Sequence, residues 1–260
     1  MTTQLKVSVF RNGRTWFADL TRPIDIGLPL REGPGGVNCF YAPPFSTEPV
    51  VAGDFTGSTL QGGPVNFLNV MFNPHGNGTH TECVGHISKK RFTINQCLKK
   101  FHFFAKLVSV FPTRQDDGDR VILRRQFEDL IVPGEAEALI LRTLPNDECK
   151  LNLNYSGTNP PYLHRDAAAF LVECGVEHLL LDLPSVDREE DGGALRSHRA
   201  FWRYSGQPQD LVRENCTITE LIYVPPAIKD GLYLLNLQIA SFEIDASPSK
   251  PVIYPLTAAS

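Results

Sequence analysis

The chain has 260 residues, 42% of them hydrophobic and 21% charged, with a formal net charge of −4. That charge excludes the basic footprint of a nucleic-acid binder, and no apolar run approaches the ~20 residues that span a membrane. The opening residues Met1-Thr2-Thr3-Gln4-Leu5-Lys6 lack the plan of a signal peptide. Cys39, Cys83, Cys97, Cys149, Cys174 and Cys216 are scattered without a C-x-x-C pair, which suits free thiols in a reducing cytoplasm.

In chain order, 6–10 and 15–19 are short β-prone runs, and Asn12-Gly13 between them marks a hairpin because both residues tolerate positive φ. From Arg22 to Gly63 the chain is rich in Pro and Gly and assigns no regular structure. Its aromatics Phe40, Tyr41, Phe45 and Phe55 argue against disorder, leaving either a lid or pocket wall or a structural wrap. A strand is predicted over 66–72, a second over 101–110, and a short helix over 124–130. The run Ala138-Leu139-Ile140-Leu141-Arg142 reads as a buried strand. A helix is predicted over 162–174, with Gly175 placed to stop it in the αL conformation. A buried strand at 178–183 follows. This strand–helix–strand unit predicts an α/β fold with parallel pairing. Residues 195–204 suit a helix, and 217–224, 232–239 and 252–254 suit closing strands. With neither repeat nor linker, residues 1–260 read as a single domain.

The chemistry concentrates in Asn73-Pro74-His75-Gly76-Asn77-Gly78-Thr79-His80-Thr81-Glu82-Cys83-Val84-Gly85-His86, which holds three of the seven histidines. His80 and Glu82 are two apart, so on extended backbone they share a face. His75 lies across a glycine turn that can fold it toward the same point. Two imidazoles and a carboxylate make a set for a first-row divalent metal. Cys83, alternating with Glu82, points away and is not expected to act as a nucleophile. One loop rarely closes a metal site, so a second contributor is expected at the carboxyl end of the 178–183 strand, where α/β sheets bind ligands. His198 is the candidate ligand there. Glu220 sits in an apolar β-prone run and is either a ligand or an outward-facing strand residue. Phe72, Phe201 and Trp202 flank these segments as pocket lining or as core. Thr79 and Ser185 fit turn or supporting roles better than nucleophilic ones.

The loop resembles the signature of the metal-dependent cyclase family, which includes bacterial-type kynurenine formamidases and isatin hydrolases. The family's pattern is H-x-G-T-H-x-D-x-P-x-H, followed much later by a His and a Glu. Gly78-Thr79-His80 and His86 fall in register with it. Asp19-Leu20-Thr21 with Pro23-Ile24, Leu141-Arg142-Thr143, Asp182-Leu183-Pro184-Ser185-Val186-Asp187 and Asp245-Ala246-Ser247-Pro248 resemble further family segments, in the family's order. Three positions depart. Gly76 stands where the first family histidine is expected, with His75 one residue early; Glu82 replaces an Asp, and Val84 a Pro.

The resemblance implies a swivelling β/β/α fold with a mixed sheet, assembled as a homodimer or homotetramer. It implies one or two divalent ions, zinc or manganese, with His80, Glu82, His198 and Glu220 in the ligand places and His75 beside them. It places His86 as general acid/base, with support of a metal ligand as its other reading. The implied activity is hydrolysis of a small-molecule amide, such as an aryl formamide or a lactam. A lactone hydrolase or dehydratase on the same scaffold, and a non-enzymatic binding protein that keeps the fold, are the rival readings.

Overall fold

Strands covered on both faces appear as unbroken apolar runs, and Ala138–Thr143 and His178–Leu181 are buried at every position. In the computed structural model, which describes residues 5–259, these two strands pair in parallel. Residues 1–4, on which most of the leader reading rests, lie outside the described residues. His102–Val110 and Thr217–Glu220 extend the parallel set on either side. His80–Glu82, Ala246–Pro255 and Gly231–Ile239 join by antiparallel pairing. Because Gly231–Ile239 pairs with both Ala246–Pro255 and His102–Val110, seven strands close into a barrel, with Ile24–Asp25 added outside the ring on Ala246–Pro255. The fold is mixed α/β, as expected.

Side-chain alternation separates two apolar layers. Leu107, Ala138, Ile140, Leu180, Leu235 and Ile253 make one cluster. Val108, Leu139, Leu141, Leu179 and Leu181 make the other, against Ala167 and Leu171 of helix Arg165–Glu173 and against Phe201 and Trp202 of helix Arg196–Trp202. Ile218 belongs to this second layer, so Glu220, two residues on, faces the side where helix Arg196–Trp202 packs.

Several boundaries differ from the sequence expectation. The helix predicted over 162–174 begins at Arg165, because Tyr162–Leu163 pairs in parallel with Arg120–Ile122 and His164 caps the helix. Gly175 does stop it, at φ 85°. The helix predicted over 124–130 is a single turn, Arg124–Gln126. The strand predicted over 217–224 ends at Glu220, because Leu221 turns the backbone to φ 56°. The strand predicted over 66–72 shortens to Leu68–Met71 and pairs with Ser46–Pro49 in an exposed ribbon outside the barrel. The segment 22–63 serves both of its open readings. Leu28, Val37 and Cys39 wrap onto Tyr155, Leu221 and Tyr223, whereas residues 40–43 line a cavity. The six cysteines are free, and among the described residues no helix is long and apolar enough to cross a membrane.

One buried titratable group lies far from any candidate ligand. His178 opens its barrel strand, and its Nδ1 lies 2.9 Å from the Thr217 hydroxyl. Burial pushes its imidazolium down to about 3, with Arg213 and Lys100 adding repulsion. The native ring therefore stays neutral where the unfolded ring, with an ordinary value of 6.5, takes up a proton. The stability that depends on it is intact above that value and is lost as pH falls toward 3. Equilibrium denaturation between pH 7 and pH 5 should show stability falling more steeply in wild type than in His178→Gln, by up to about 1.4 kcal/mol per pH unit. Parallel curves for the two proteins would remove His178 as a cause.

Candidate metal centre

The histidine loop folds on its own asparagines. Asn73 Oδ1 accepts the backbone N–H of His75 at 3.0 Å and of Gly76 at 3.1 Å, and Asn77 Oδ1 accepts the N–H of Asn73 at 2.6 Å. Cys39 ties the turn from the other side. Its thiol donates to the His75 carbonyl at 3.3 Å, and its N–H to the Gly76 carbonyl at 3.0 Å. A Cβ on Gly76 would lie 2.3 Å from the Ala42 Cβ. The position where the family carries a histidine therefore holds no side chain in this backbone, and the residue before it reaches the site instead. Thr79 is the hinge between turn and strand: its hydroxyl donates to the Leu221 carbonyl and accepts the Leu28 N–H at 2.7 Å.

His80–Glu82 then enters the barrel between Thr217–Glu220 and Ala246–Pro255, with His80 directly opposite Glu220. His80 and Glu82 share a face, as their spacing predicts. His80 Nδ1 lies 3.0 Å from the Gly78 carbonyl, which fixes the N–H there and leaves Nε2 with its lone pair, 3.4 Å from Glu220 Oε2. Glu220 faces inward, not outward: it is buried, and its Oε1 accepts the Val186 N–H at 2.9 Å. His198 comes from helix Arg196–Trp202. Asp187 accepts the N–H of Ser197 at 2.7 Å and of His198 at 3.1 Å, and receives the His198 Nδ1–H at 2.6 Å. That grip aims His198 Nε2 at Glu82 Oε1, 3.1 Å away. A carboxylate holding the far nitrogen of an imidazole is the usual support of a metal-ligating histidine.

His75 bridges Glu82 Oε2 at 3.2 Å and Asp245 Oδ2 at 2.9 Å. His86 Nδ1 lies 3.3 Å from the same Asp245 oxygen and 3.7 Å from Glu82 Oε2. All six residues singled out in the sequence thus converge. Cys83 turns away into the apolar cluster with Ile94 and Cys97. Phe201 and Trp202 are core, with Trp202 stacked beside His198 at 5.5 Å. Phe72 stacks on Phe242, and Ser185 is a turn residue whose hydroxyl accepts the Asp187 N–H. Sequence reasoning left Asp187 and Asp245 without roles, although both lie in family-like segments. It also left Cys39 unassigned, and no sequence signal marks that contact.

The electrostatics ask for a cation. Burial works against protonating His75, but hydrogen bonds to Asp245 and Glu82 outweigh it and raise the ring to about 10. His198 is raised to about 10 by Asp187 and Glu82, again against burial. Burial would raise the Glu82 carboxyl, yet His86, His198 and His75 hold it well below the ordinary range. Even so, the buried His80 Nε2 has no hydrogen-bond partner, and the buried Glu82 Oε2 meets only the His75 imidazole within hydrogen-bond distance, at 3.2 Å and without good alignment, an expensive arrangement in an interior. Two donor groups, His80–Glu82–Glu220 and His75–Glu82–His86, each have ligand atoms within 4.8 Å of one another and share Glu82. The donor chemistry, imidazoles with carboxylates, fits a divalent first-row ion.

A family model described as putative cyclase matches residues 18–188, more than half of the chain. The chain is 27% identical to the kynurenine formamidase of Bacillus mycoides over 239 residues, covering 90% of this chain and 97% of that protein. It is 28% identical to the kynurenine formamidase of Bacillus anthracis over 240 residues, with the same coverage. Among solved structures, isatin hydrolase A from Labrenzia aggregata shares the fold with a TM-score of 0.62 at 15% identity, over 90% of this chain and 93% of that one. A predicted metal-dependent hydrolase from Bacillus stearothermophilus does so with a TM-score of 0.61 at 15% identity, over 90% and 98%.

Two outcomes are expected of this centre. Chelation of divalent ions should lower the melting temperature, and re-addition of zinc or manganese should restore it, because an ion bound only by the native state stabilises it; an unchanged melting temperature would count against a metal here. Gly76→His, which restores the family's histidine, should lower ion content and destabilise the fold by about 1–3 kcal/mol through overpacking against Ala42. Elemental analysis and denaturant melts report both, and a variant with full metal and wild-type stability would refute the steric argument.

Proposed function

The chain belongs to the putative cyclase family, and from that premise we propose that it is a metal-dependent hydrolase of small amides that uses zinc or manganese. The observation that carries the reading is the buried His80 Nε2 without a hydrogen-bond partner, facing Glu220 and beside a Glu82 Oε2 that meets only the His75 imidazole within hydrogen-bond distance, at 3.2 Å. His80 and Glu82 belong to the cluster at a cavity of about 640 Å³ that His75, His86, His198 and Glu220 line. The names of the similar proteins, kynurenine formamidase and isatin hydrolase, point to amide bonds of aryl compounds. His80, Glu82 and Glu220 would hold the ion, with His198 and His75 completing the set. A divalent ion, when bound, supplies Lewis acidity to a carbonyl and makes water a better nucleophile near neutral pH.

The remaining work falls to this chain's own residues. Hydrolysis forms a C–O bond from water, breaks the C–N bond and moves a proton to the leaving nitrogen. His86 is only partly buried at the cavity, and Asp245 accepts from its Nδ1. That leaves Nε2 to take the proton from water and return it to nitrogen. Asp187 and Asp245 keep the imidazoles oriented. A second reading has a specific observation in its favour: His75, Glu82 and His86 form a donor group of their own. Under it, His86 holds a second ion instead of carrying a proton.

His86→Ala separates the two. As proton carrier, its loss should lower kcat for an aryl formamide by about 10²–10⁴-fold and leave ion content unchanged, measured by formate release and elemental analysis. Loss of an ion along with activity would assign His86 as a ligand. A wild-type protein that is fully loaded with metal yet releases no amine from aryl formamides or lactams would overturn the amide-hydrolase reading.

A further inference from the structure

The wall of the cavity carries a feature that the metal chemistry leaves unused. Phe40 and Tyr41 both line it, and both hold left-handed backbone, at φ 56° and 53°. Bulky L residues rarely take that conformation, two in a row still less, and such strain persists where the surroundings impose it. Here they do. The Tyr41 N–H donates to the Ser156 hydroxyl at 2.9 Å. The Tyr41 hydroxyl lies over Gly157, 2.7 Å from where a Cβ on that residue would stand. Glu189 braces that loop from behind, accepting the Gly157 N–H at 2.6 Å and the Asn159 N–H at 3.2 Å. The Tyr41 side chain is nevertheless exposed, at 75%, and Phe40 at 39%. Two aromatic residues thus hold a constrained backbone and present exposed rings at the cavity.

The charges around them are one-sided. Asp187 and Glu220 belong to the histidine cluster, where His198 offsets them, so Glu189 and Asp191 are the acidic side chains on the rest of the lining, and Arg188 is the lysine- or arginine-type cation there. Its guanidinium is matched by the buried Asp119, at 2.9 Å from Nε and 3.1 Å from Nη2, with Nη1 turned to the Glu190 carbonyl. Its charge is therefore neutralised before a ligand arrives. A carboxylate-bearing substrate meets acidic walls and a guanidinium that is already paired, whereas a neutral ring or one with a positive tail meets aromatic faces and negative potential.

Resting on the amide-hydrolase reading, we propose that Phe40 and Tyr41 form a preset aromatic wall that selects a neutral or amine-bearing aryl amide and disfavours substrates with a free carboxylate. This sets the site apart from one built for a substrate with an amino-acid head. The wall binds the ring, and the amide reaches the histidine cluster that lines the same cavity.

The test uses the zinc- or manganese-loaded full chain and a matched set of aryl formamides. These are N-(2-acetylphenyl)formamide, its derivative with an aminomethyl tail on the acetyl carbon, the corresponding derivative with a carboxymethyl tail, and N-formylkynurenine. The neutral and amine-bearing compounds should show kcat/KM at least about tenfold above the carboxylate compound and N-formylkynurenine. Equal or better turnover of the two carboxylates overturns the proposal while leaving the hydrolase reading in place. No turnover of any compound overturns the hydrolase reading, and the proposal with it. Tyr41→Gly removes the ring and suits the left-handed backbone, so it should fold with an unchanged or higher melting temperature and unchanged ion content. Its KM for N-(2-acetylphenyl)formamide should rise about tenfold, as expected for loss of an aromatic contact, with kcat within about threefold. Its preference for that compound over N-butylformamide should shrink. A variant that keeps the wild-type KM and aryl preference would show that Tyr41 forms no recognition wall.

Discussion

Glu82 has no exposed surface, and Glu220 is almost as deeply placed, one strand away. Two carboxylates buried between the barrel strands and helix Arg196–Trp202 are the constraint on which the rest of this structure depends. A buried charge is tolerated only when paired and hydrogen-bonded. His75, His86 and His198 converge on Glu82, and His80 faces Glu220. Those rings need holding in turn, and Asp187 and Asp245 supply the second layer. The positive charge of His75 and His198 substitutes for what a divalent ion would bring, so the same geometry that is costly without a cation is a candidate site for one.

The scaffold makes such a cluster possible because its strands are short at this end. Thr217–Glu220 stops where Leu221 turns to positive φ, which places Glu220 as the last strand residue. His80–Glu82 is three residues long and is paired on both edges. Its side chains are fixed by two ladders, and the polar loops on either side supply the groups that need room to approach. Helix Arg196–Trp202 closes the cluster from the sequence side that a linear motif does not reach. Its start is set by Asp187 and by Leu195 at φ 47°, whose N–H Asp191 accepts.

Much of the site was legible in the chain. The two-residue spacing of His80 and Glu82 requires a shared face on any extended backbone, and the strand provides one. His198 was singled out because its segment follows the carboxyl end of a buried strand, where α/β sheets bind ligands, and Glu220 because a carboxylate is unusual inside an apolar run. The reach of His75 was not legible. It depends on asparagine side chains, on the Cys39 thiol some 36 positions earlier and on the bulk of Ala42. Those are contacts between distant segments, and spacing carries no record of them. Helix and strand ends were misplaced for the same reason. Tyr162–Leu163 has helical neighbours in sequence but is captured as strand by Arg120–Ile122.

By itself, the sequence determined the barrel's parallel core, the hairpin of Lys6–Arg11 and Arg14–Asp19 outside it, and the loop that gathers the histidines. Each of these follows from local periodicity, from residues that accept positive φ, or from donor atoms clustered within a few positions. Tertiary structure alone decided which way Glu220 faces, how a displaced His75 still meets Glu82, and that Phe40 and Tyr41 stand uncovered at the cavity. Those outcomes depend on steric and hydrogen-bond contacts between distant segments, from Val186 and Glu220 at a separation of 34 to Tyr41 and Ser156 at 115. Only the closed chain brings such partners within range.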